Sequence, residues 1–423
     1  MPSSPRNILF IHQNFPGQFR HLAPALVERG DQVVALGILG QPAVRNWNGV
    51  RVLSYQPRRS NTAGLHPWLV DMETKLIRGE ACWQAMRSLQ AQGFRPDLVM
   101  AHPGWGEPLF AKQVWPGSPL AIYAEFFYQA EGADMGFDPE FAPPDAQAER
   151  CRLQMKNLNH LAHLEQASAA ISPTHWQAST FPAYWRDRIE VCHDGIDTDA
   201  IRPDLQACFP LPAGQVLTRD DEVVTYVARH LEPYRGFHVF MRLLPELLRA
   251  RPHAHIVIVG DDGKGYGADA GAGQSWRQRL TQEIDSQMPV GGWRRVHFIS
   301  RLPRDAFTRL LQITRLHCYL TYPFVLSWSL LEAMSAGACI LASDTAPVRE
   351  VIQNGQQGIL VDFFDRHAWL AQAVALLEQP ETRQALSASA RQRAVAHYDL
   401  RTVSLSRQLA WVSRHCADSH QWG

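Results

Sequence analysis

No Cys-x-x-Cys pair occurs in the 423 residues, and the seven cysteines, at 82, 151, 192, 208, 318, 339 and 416, are scattered and odd in number. A disulfide framework is not expected, and this usage fits a reducing compartment. Charge of one sign is missing too: 41 basic residues meet 41 acidic ones. A duplex-binding surface needs a basic surplus, so nucleic acid is not an expected partner. No apolar run approaches the roughly 18 residues that span a bilayer. The opening MPSSPRNILFIHQNFPG has too short an apolar core for a signal peptide. The expected setting is the cytoplasm, with peripheral contact at the inner membrane face left open. Glycine and proline stand at 28 each, ordinary usage, which excludes collagen-like and low-complexity chains. A Gly-x-Gly-x-x-Gly fingerprint is lacking where the first strand ends, so a nicotinamide site is not supported. The 18 histidines show no zinc spacing, and Asp197-x-Asp199 reads as a turn that caps backbone N–H groups, so no metal is expected.

Hydrophobic residues make up 46% of the chain, enough for sizeable cores. Short apolar runs, from Ile8–Ile11 to Gly358–Val361, alternate with helical patterns such as Asp71–Gln92 and Phe237–Arg251. Runs of that length bounded by Gly, Pro or polar residues read as strands buried on both faces of a parallel sheet. The series runs twice, about six strands each time, and the turn-rich HDGIDTDAIRPD (193–204) falls near the midpoint. The expectation is α/β: two doubly wound Rossmann-like domains, 1–195 and 196–399, facing a cleft. In such sheets ligands bind at the carboxyl ends of strands.

Three stretches carry candidate chemistry. In HQNFPGQFRHLAPAL, Gly17 makes a tight turn into a helix whose N-terminus favours anions. In VVTYVARHLEPYRGFHVF, Arg229 ends a strand and Arg235 precedes a helix, a pair suited to bracketing a diphosphate. In TYPFVLSWSLLEAMSAGACILASD, Ser327 is a plausible N-cap, and Glu332, a turn into that helix, can accept two hydroxyl hydrogen bonds as a ribose offers. The stretch GDDGKGYGADAGAGQ (260–274) reads as a flexible loop.

Together these residues resemble glycosyltransferase family 4, retaining enzymes of GT-B fold. ILFIHQNFPGQFRHLAPALVERGDQVV resembles the family's first strand, glycine loop and helix. VCHDGIDTDAIRP resembles its interdomain signature, Arg229 with Arg235-Gly236 its basic pair, and LLEAMSAGACILASDTAPVREVIQNGQQGILV its donor-site block. The resemblance implies a metal-independent transferase that uses a nucleotide-diphosphate sugar, UDP- or GDP-linked, needs no other cofactor, and glycosylates a carbohydrate or lipid-linked acceptor. It assigns Arg229, Arg235, Glu332 and Glu125 to catalysis. Donor binding falls to Gly17, Arg301, Leu326, Ser327 and Glu332, and the acceptor side or cleft to His102, His12 and Phe324. The departures are three. Phe324 stands where the family carries the first Glu of its Glu-x7-Glu, Arg235 stands where it carries a Lys, and Glu125 stands where a histidine is frequent. Glu125, partly buried, is expected to have a raised pKa suited to accepting a proton. Residues 400–423 are expected to form a helix returning to the first domain. A nucleotide-sugar epimerase of the same fold, or a decayed nucleotide-sugar-binding protein, are the alternatives.

Overall fold

The computed structural model describes residues 5–38, 44–212, 214–271 and 273–416. It has two compact units. The first comprises 1–131, 143–195 and 401–423, the second 132–142 and 196–400.

The first unit is built on an eight-stranded sheet. Its strands are β1 (Asn7–Ile11), β2 (Gln32–Gly37), β3 (Val44–Trp47), β4 (Val50–Ser54), β5 (Leu98–Ala101), β6 (Leu120–Tyr123), β7 (Ala169–Ser172) and β8 (Ile189–Val191). They lie in the order 3-4-2-1-5-6-7-8, and all pairs are parallel except β3 with β4. β5, β6 and β7 are buried at every residue, as strands covered by helices on both faces must be. The β3–β4 hairpin was not expected. Its two-residue loop, Asn48-Gly49, has positive φ at both positions (49° and 83°), which asparagine and glycine tolerate best.

The second unit opens with a small hairpin, β9 (Cys208–Pro210) and β10 (Val216–Thr218). Its main sheet contains β11 (Glu222–His230), β12 (Ala254–Asp261), β13 (Val296–Ile299), β14 (Leu316–Tyr319), β15 (Cys339–Ser343) and β16 (Ile359–Val361). The order 13-12-11-14-15-16 is parallel throughout. Strand order reverses between β11 and β14, the place where such sheets bind ligands.

The chain does return to the first unit, from Arg401 on. A π-type turn, Leu400–Ser404, leads into the helix Leu405–His415. Trp411 and Val412 are buried there against Ile8, Phe10 and Ala23 of the first core. Residues 417–423 lie outside the described part. Segment 132–142, read from sequence as first-domain chain, packs instead with the second unit. Tyr234 donates to Asp134 (2.8 Å) and Tyr322 to Asp138 (2.7 Å). Arg242 grips both oxygens of Glu140. All seven cysteines are free, and among the described residues no helix is long and apolar enough to cross a membrane.

Candidate active site

In the first unit a relay of side chains gathers at the carboxyl ends of β1, β5 and β6. His12 follows β1, and its Nε2 meets Gln18 Oε1 at 2.8 Å. Gln18 donates to Glu125 Oε1 (2.8 Å), and Glu125 Oε2 lies 3.3 Å from His102 Nε2. The Nδ1 of each histidine accepts a backbone N–H, from Asn14 and Gly104 respectively, which leaves Nε2 as the atom that meets the relay. The His102 ring stacks between Trp105 (4.4 Å) and Tyr123 (5.7 Å).

Both histidines are buried, so neither is an open cleft residue in its own right. Glu125, with 26% of its side chain exposed, is the member that reaches water. Its pKa is lowered, not raised as the sequence implied. Desolvation pushes the carboxyl up, but the charges of His102 and His12 and the hydrogen bonds from His102 and Gln18 outweigh it. Gly17 serves this relay too. Its φ is +49°, and a Cβ there would lie 2.3 Å from His12 Nε2, so the space its missing side chain leaves is taken by the His12 ring.

The second unit holds the basic pair. Arg229 stands at an irregularity of β11, where the pairing with β12 shifts between Val227 and His230. Such bulges re-aim side chains. Arg229 is exposed and makes no hydrogen bond or ion pair with the described residues. Arg235 is half-buried and donates through Nη1 to Thr321 Oγ1 (3.0 Å) and the Val325 carbonyl (2.8 Å). Gly236 follows at φ +66°, where a Cβ would press 2.3 Å from that of Leu320.

Ser327 caps the helix Trp328–Ala336, as expected, by accepting from Ser329 N. Glu332 is buried in that helix, and its Oε1 takes a hydrogen bond from Arg304 (2.5 Å). Glu332 is thus a buried carboxylate with one oxygen engaged. Arg301 is 84% exposed and pairs with Asp261 (2.6 Å), so in this structure its charge is spent on a carboxylate. The Leu326 side chain belongs to the core with Tyr319 and Leu330 and lines no open surface.

Phe324 is not a cleft residue either. It is buried against Tyr266 (4.8 Å) and Tyr234 (5.4 Å), with the Arg235 guanidinium 5.6 Å above its ring. The glycine-rich loop is anchored, contrary to its sequence reading. Tyr266 and Gly267 N–H groups donate to Glu232 Oε2 (2.7 and 2.9 Å), and a Cβ at Gly265 would fall 2.0 Å from that carboxylate.

Sequence reasoning missed Gln18 and Glu232, which lie inside stretches it singled out, and Trp105 and Arg304, which lie in none. It also missed Glu107, wholly buried in the first unit with no hydrogen bond at either oxygen and a carboxyl pushed by burial up to about 7. Among the described residues, the group that could hold a metal is Asp138, Glu140 and His238. Its atoms are already occupied: Glu140 by Arg242, Asp138 by Tyr322 and His238 (3.0 Å).

Family models match along the chain in two blocks. Residues 29–201 match the glycosyl transferase family 4 group and 213–393 match glycosyl transferases group 1. A phosphatidyl-myo-inositol mannosyltransferase of Mycolicibacterium smegmatis is 26% identical over 188 residues, 44% of each chain. The match thus spans less than half the length of that relative. Among solved structures, sucrose-phosphate synthase from Thermosynechococcus elongatus superposes with a TM-score of 0.71 at 16% identity, covering 97% of this chain and 99% of the other. Anabaena HepE in complex with UDP and glucose gives 0.66 at 15%, with the same coverage. These likenesses, at such identity, establish the fold as GT-B.

Proposed function

Since the chain belongs to the family 4 glycosyltransferases, we propose that it moves a sugar from a nucleoside-diphosphate sugar to an acceptor hydroxyl with retention of configuration. The observation that carries this reading is the pair Arg229 and Arg235 at the carboxyl end of β11, where Arg229 has no carboxylate partner. As the donor's anomeric bond breaks, charge grows on the diphosphate. Guanidiniums already aimed at that charge stabilise it without reorganising, and the Ser327-capped helix N-terminus adds its dipole. Two cations there do the work that a divalent metal would otherwise do, which supports a metal-independent reaction.

Glu332 would receive the ribose hydroxyls on the oxygen that Arg304 leaves open. UDP is the leading nucleotide, because HepE, of like fold, binds it. Glu125 stays ionised at neutral pH. A lasting negative charge suits orienting an acceptor hydroxyl, or offsetting positive charge on the donor carbon, better than it suits taking a proton. At Phe324 a buried ring offers no hydrogen bond to the donor sugar. A carbohydrate or lipid-linked acceptor, reached in the cytoplasm or at the inner membrane face, completes the reading.

The test is incubation with UDP-, GDP- and ADP-linked sugars in EDTA, with a panel of acceptors. Release of the nucleoside diphosphate with a new glycoside of unchanged anomeric configuration is expected. An interconverted sugar with no transfer, or binding without turnover, would overturn the proposal in favour of an epimerase or a binding protein. Activity restored only by Mn²⁺ would overturn its metal independence.

A further inference from the structure

The second unit has a second concave site, at the opposite end of its sheet from Arg229 and Arg235. It is an open cavity of about 640 Å³. Arg219, just before β11, and Arg315, just before β14, line it at the amino ends of the strands. Arg383 and Arg391, from the helix Pro380–Tyr398, complete the lining.

Among the described residues none of these four arginines forms an ion pair with a carboxylate. Each donates to backbone carbonyls at the ends of other elements. Arg219 reaches Gln312 O (3.1 Å), at the end of the helix Arg304–Ile313. Arg391 reaches Ser335 O (2.5 Å), at the end of Trp328–Ala336. Arg383 reaches Leu376 O (2.7 Å) and Leu377 O (3.2 Å), at the end of Arg366–Glu378. Arg315 takes the carbonyls of Arg219 and Asp220.

Capping of helix C-termini explains part of this arrangement but not all of it. Each helix end carries roughly half a negative charge, so three ends offset about one and a half positive charges out of four. The acidic residue in the lining, Glu378, already pairs with Arg251 (3.0 Å). Arg202 adds to the excess, and Asp199 pulls Arg391 the other way. Burial, and then the Arg315 charge, lower the Arg383 guanidinium from its usual value, and the pull of Cys339 and of Glu222, which Arg251 grips, does not offset them. Several N–H groups also stay open: Nη2 of Arg219 and of Arg383 makes no hydrogen bond with the described residues.

We propose that this cavity is a binding site for a small polyphosphate or phosphomonoester carrying about two negative charges, separate from the donor site. Planar guanidiniums with free N–H pairs fit phosphate oxygens bidentately. The cavity is large enough for a phosphorylated sugar.

Calorimetric titration of inorganic pyrophosphate into the Arg229→Ala variant tests this, because that background weakens the donor-side cluster and Arg229 makes no hydrogen bond or ion pair with the described residues. Saturable binding of pyrophosphate is expected, and glucose 6-phosphate should compete if the ligand is a phosphomonoester. Adding Arg219→Gln should weaken binding about five- to thirty-fold, the loss expected for one charge-assisted hydrogen bond, and Arg383→Gln should do the same. Arg219→Gln carries the test if Arg383→Gln fails to fold, since Arg219 makes a single side-chain bond. Pyrophosphate affinity unchanged by Arg219→Gln, or matched by chloride at equal ionic strength, would overturn the proposal.

Discussion

Glu107 shows what a single buried carboxyl does to a whole chain. Its pKa of about 7 stands above the ordinary 4.5 because burial penalises the charged form, against the pull of the Arg78 and His102 charges. Between those two pH values the unfolded chain ionises Glu107 and the folded one does not. The stability it contributes is therefore full below about 4.5 and is lost as pH rises through about 7. Relative to the native protein, Glu107→Gln should flatten the melting profile across that window, a difference on the order of 2–3 kcal/mol. Parallel profiles would refute it. Glu125 runs the other way. Its depressed pKa means that the stability it brings is present above its ordinary 4.5 and is lost on acidification below it. Glu125→Gln should cost more stability at pH 7 than in acid below 4.5, and should cut turnover about ten- to a hundred-fold. The basic pair also divides. Arg229→Ala should lower turnover by about 10²–10³ with an unchanged melting temperature. Arg235→Ala should do both, because it also breaks the bonds to Thr321 and Val325, at about 1–2 kcal/mol. Equal melting temperatures for the two variants would contradict that division.

At the scale of elements, the helix Leu405–His415 closes the first unit with Trp411 at 1% exposure. Trp411→Ala should destabilise by about 3–5 kcal/mol, as large-to-small core changes do, read as a lower midpoint in urea; a shift under 1 kcal/mol would mean the helix packs loosely. Elements built from apolar periodicity were the most legible. The buried parallel strands stand out as short runs of Val, Ile, Leu and Ala, and Arg304–Ile313 begins just after a proline and shows one apolar stripe. The β3–β4 hairpin carried an equally good signal, Asn48-Gly49, but Arg45 and Asn46 interrupt β3 and Arg51 interrupts β4, so neither strand shows a continuous apolar run. Site partners were the least legible. Glu332 declares itself by its place behind an N-cap, whereas Arg304 lies 28 residues earlier and meets it only through helix packing. Phe324 was visible as a missing glutamate. That tyrosines from two distant loops would wall it in was not, since nothing local encodes that contact.

Across the whole molecule, burial sorts the thiols. Cys82, Cys192, Cys318 and Cys339 are buried, and desolvation raises each, Cys192 to about 11 and Cys339 to about 12. Cys151 and Cys208 are exposed. A thiol is reactive as its thiolate, so an aromatic disulfide reagent should label Cys151 and Cys208 fast and the buried four only after denaturation. Rapid labelling of four or more in the native protein would be inconsistent with these cores. Reducing agent should leave the melting temperature unchanged, because no bridge is there to break.

The division of the chain has a consequence for how such a protein can be inherited and recombined. The second unit is completed by residues 132–142, encoded inside the first, and the first is completed by 401–416, encoded after the second. A gene cut once at codon 195 thus yields no whole module. The downstream fragment would lack Asp138, leaving the buried His238 and Tyr322 without their shared acceptor. The upstream fragment would expose the apolar surface that Trp411 covers. A swap of second units between relatives succeeds only when two stretches of coding sequence travel as a set, so mosaic proteins of this type should show breakpoints at 132, 142, 196 and 400 together rather than one crossover.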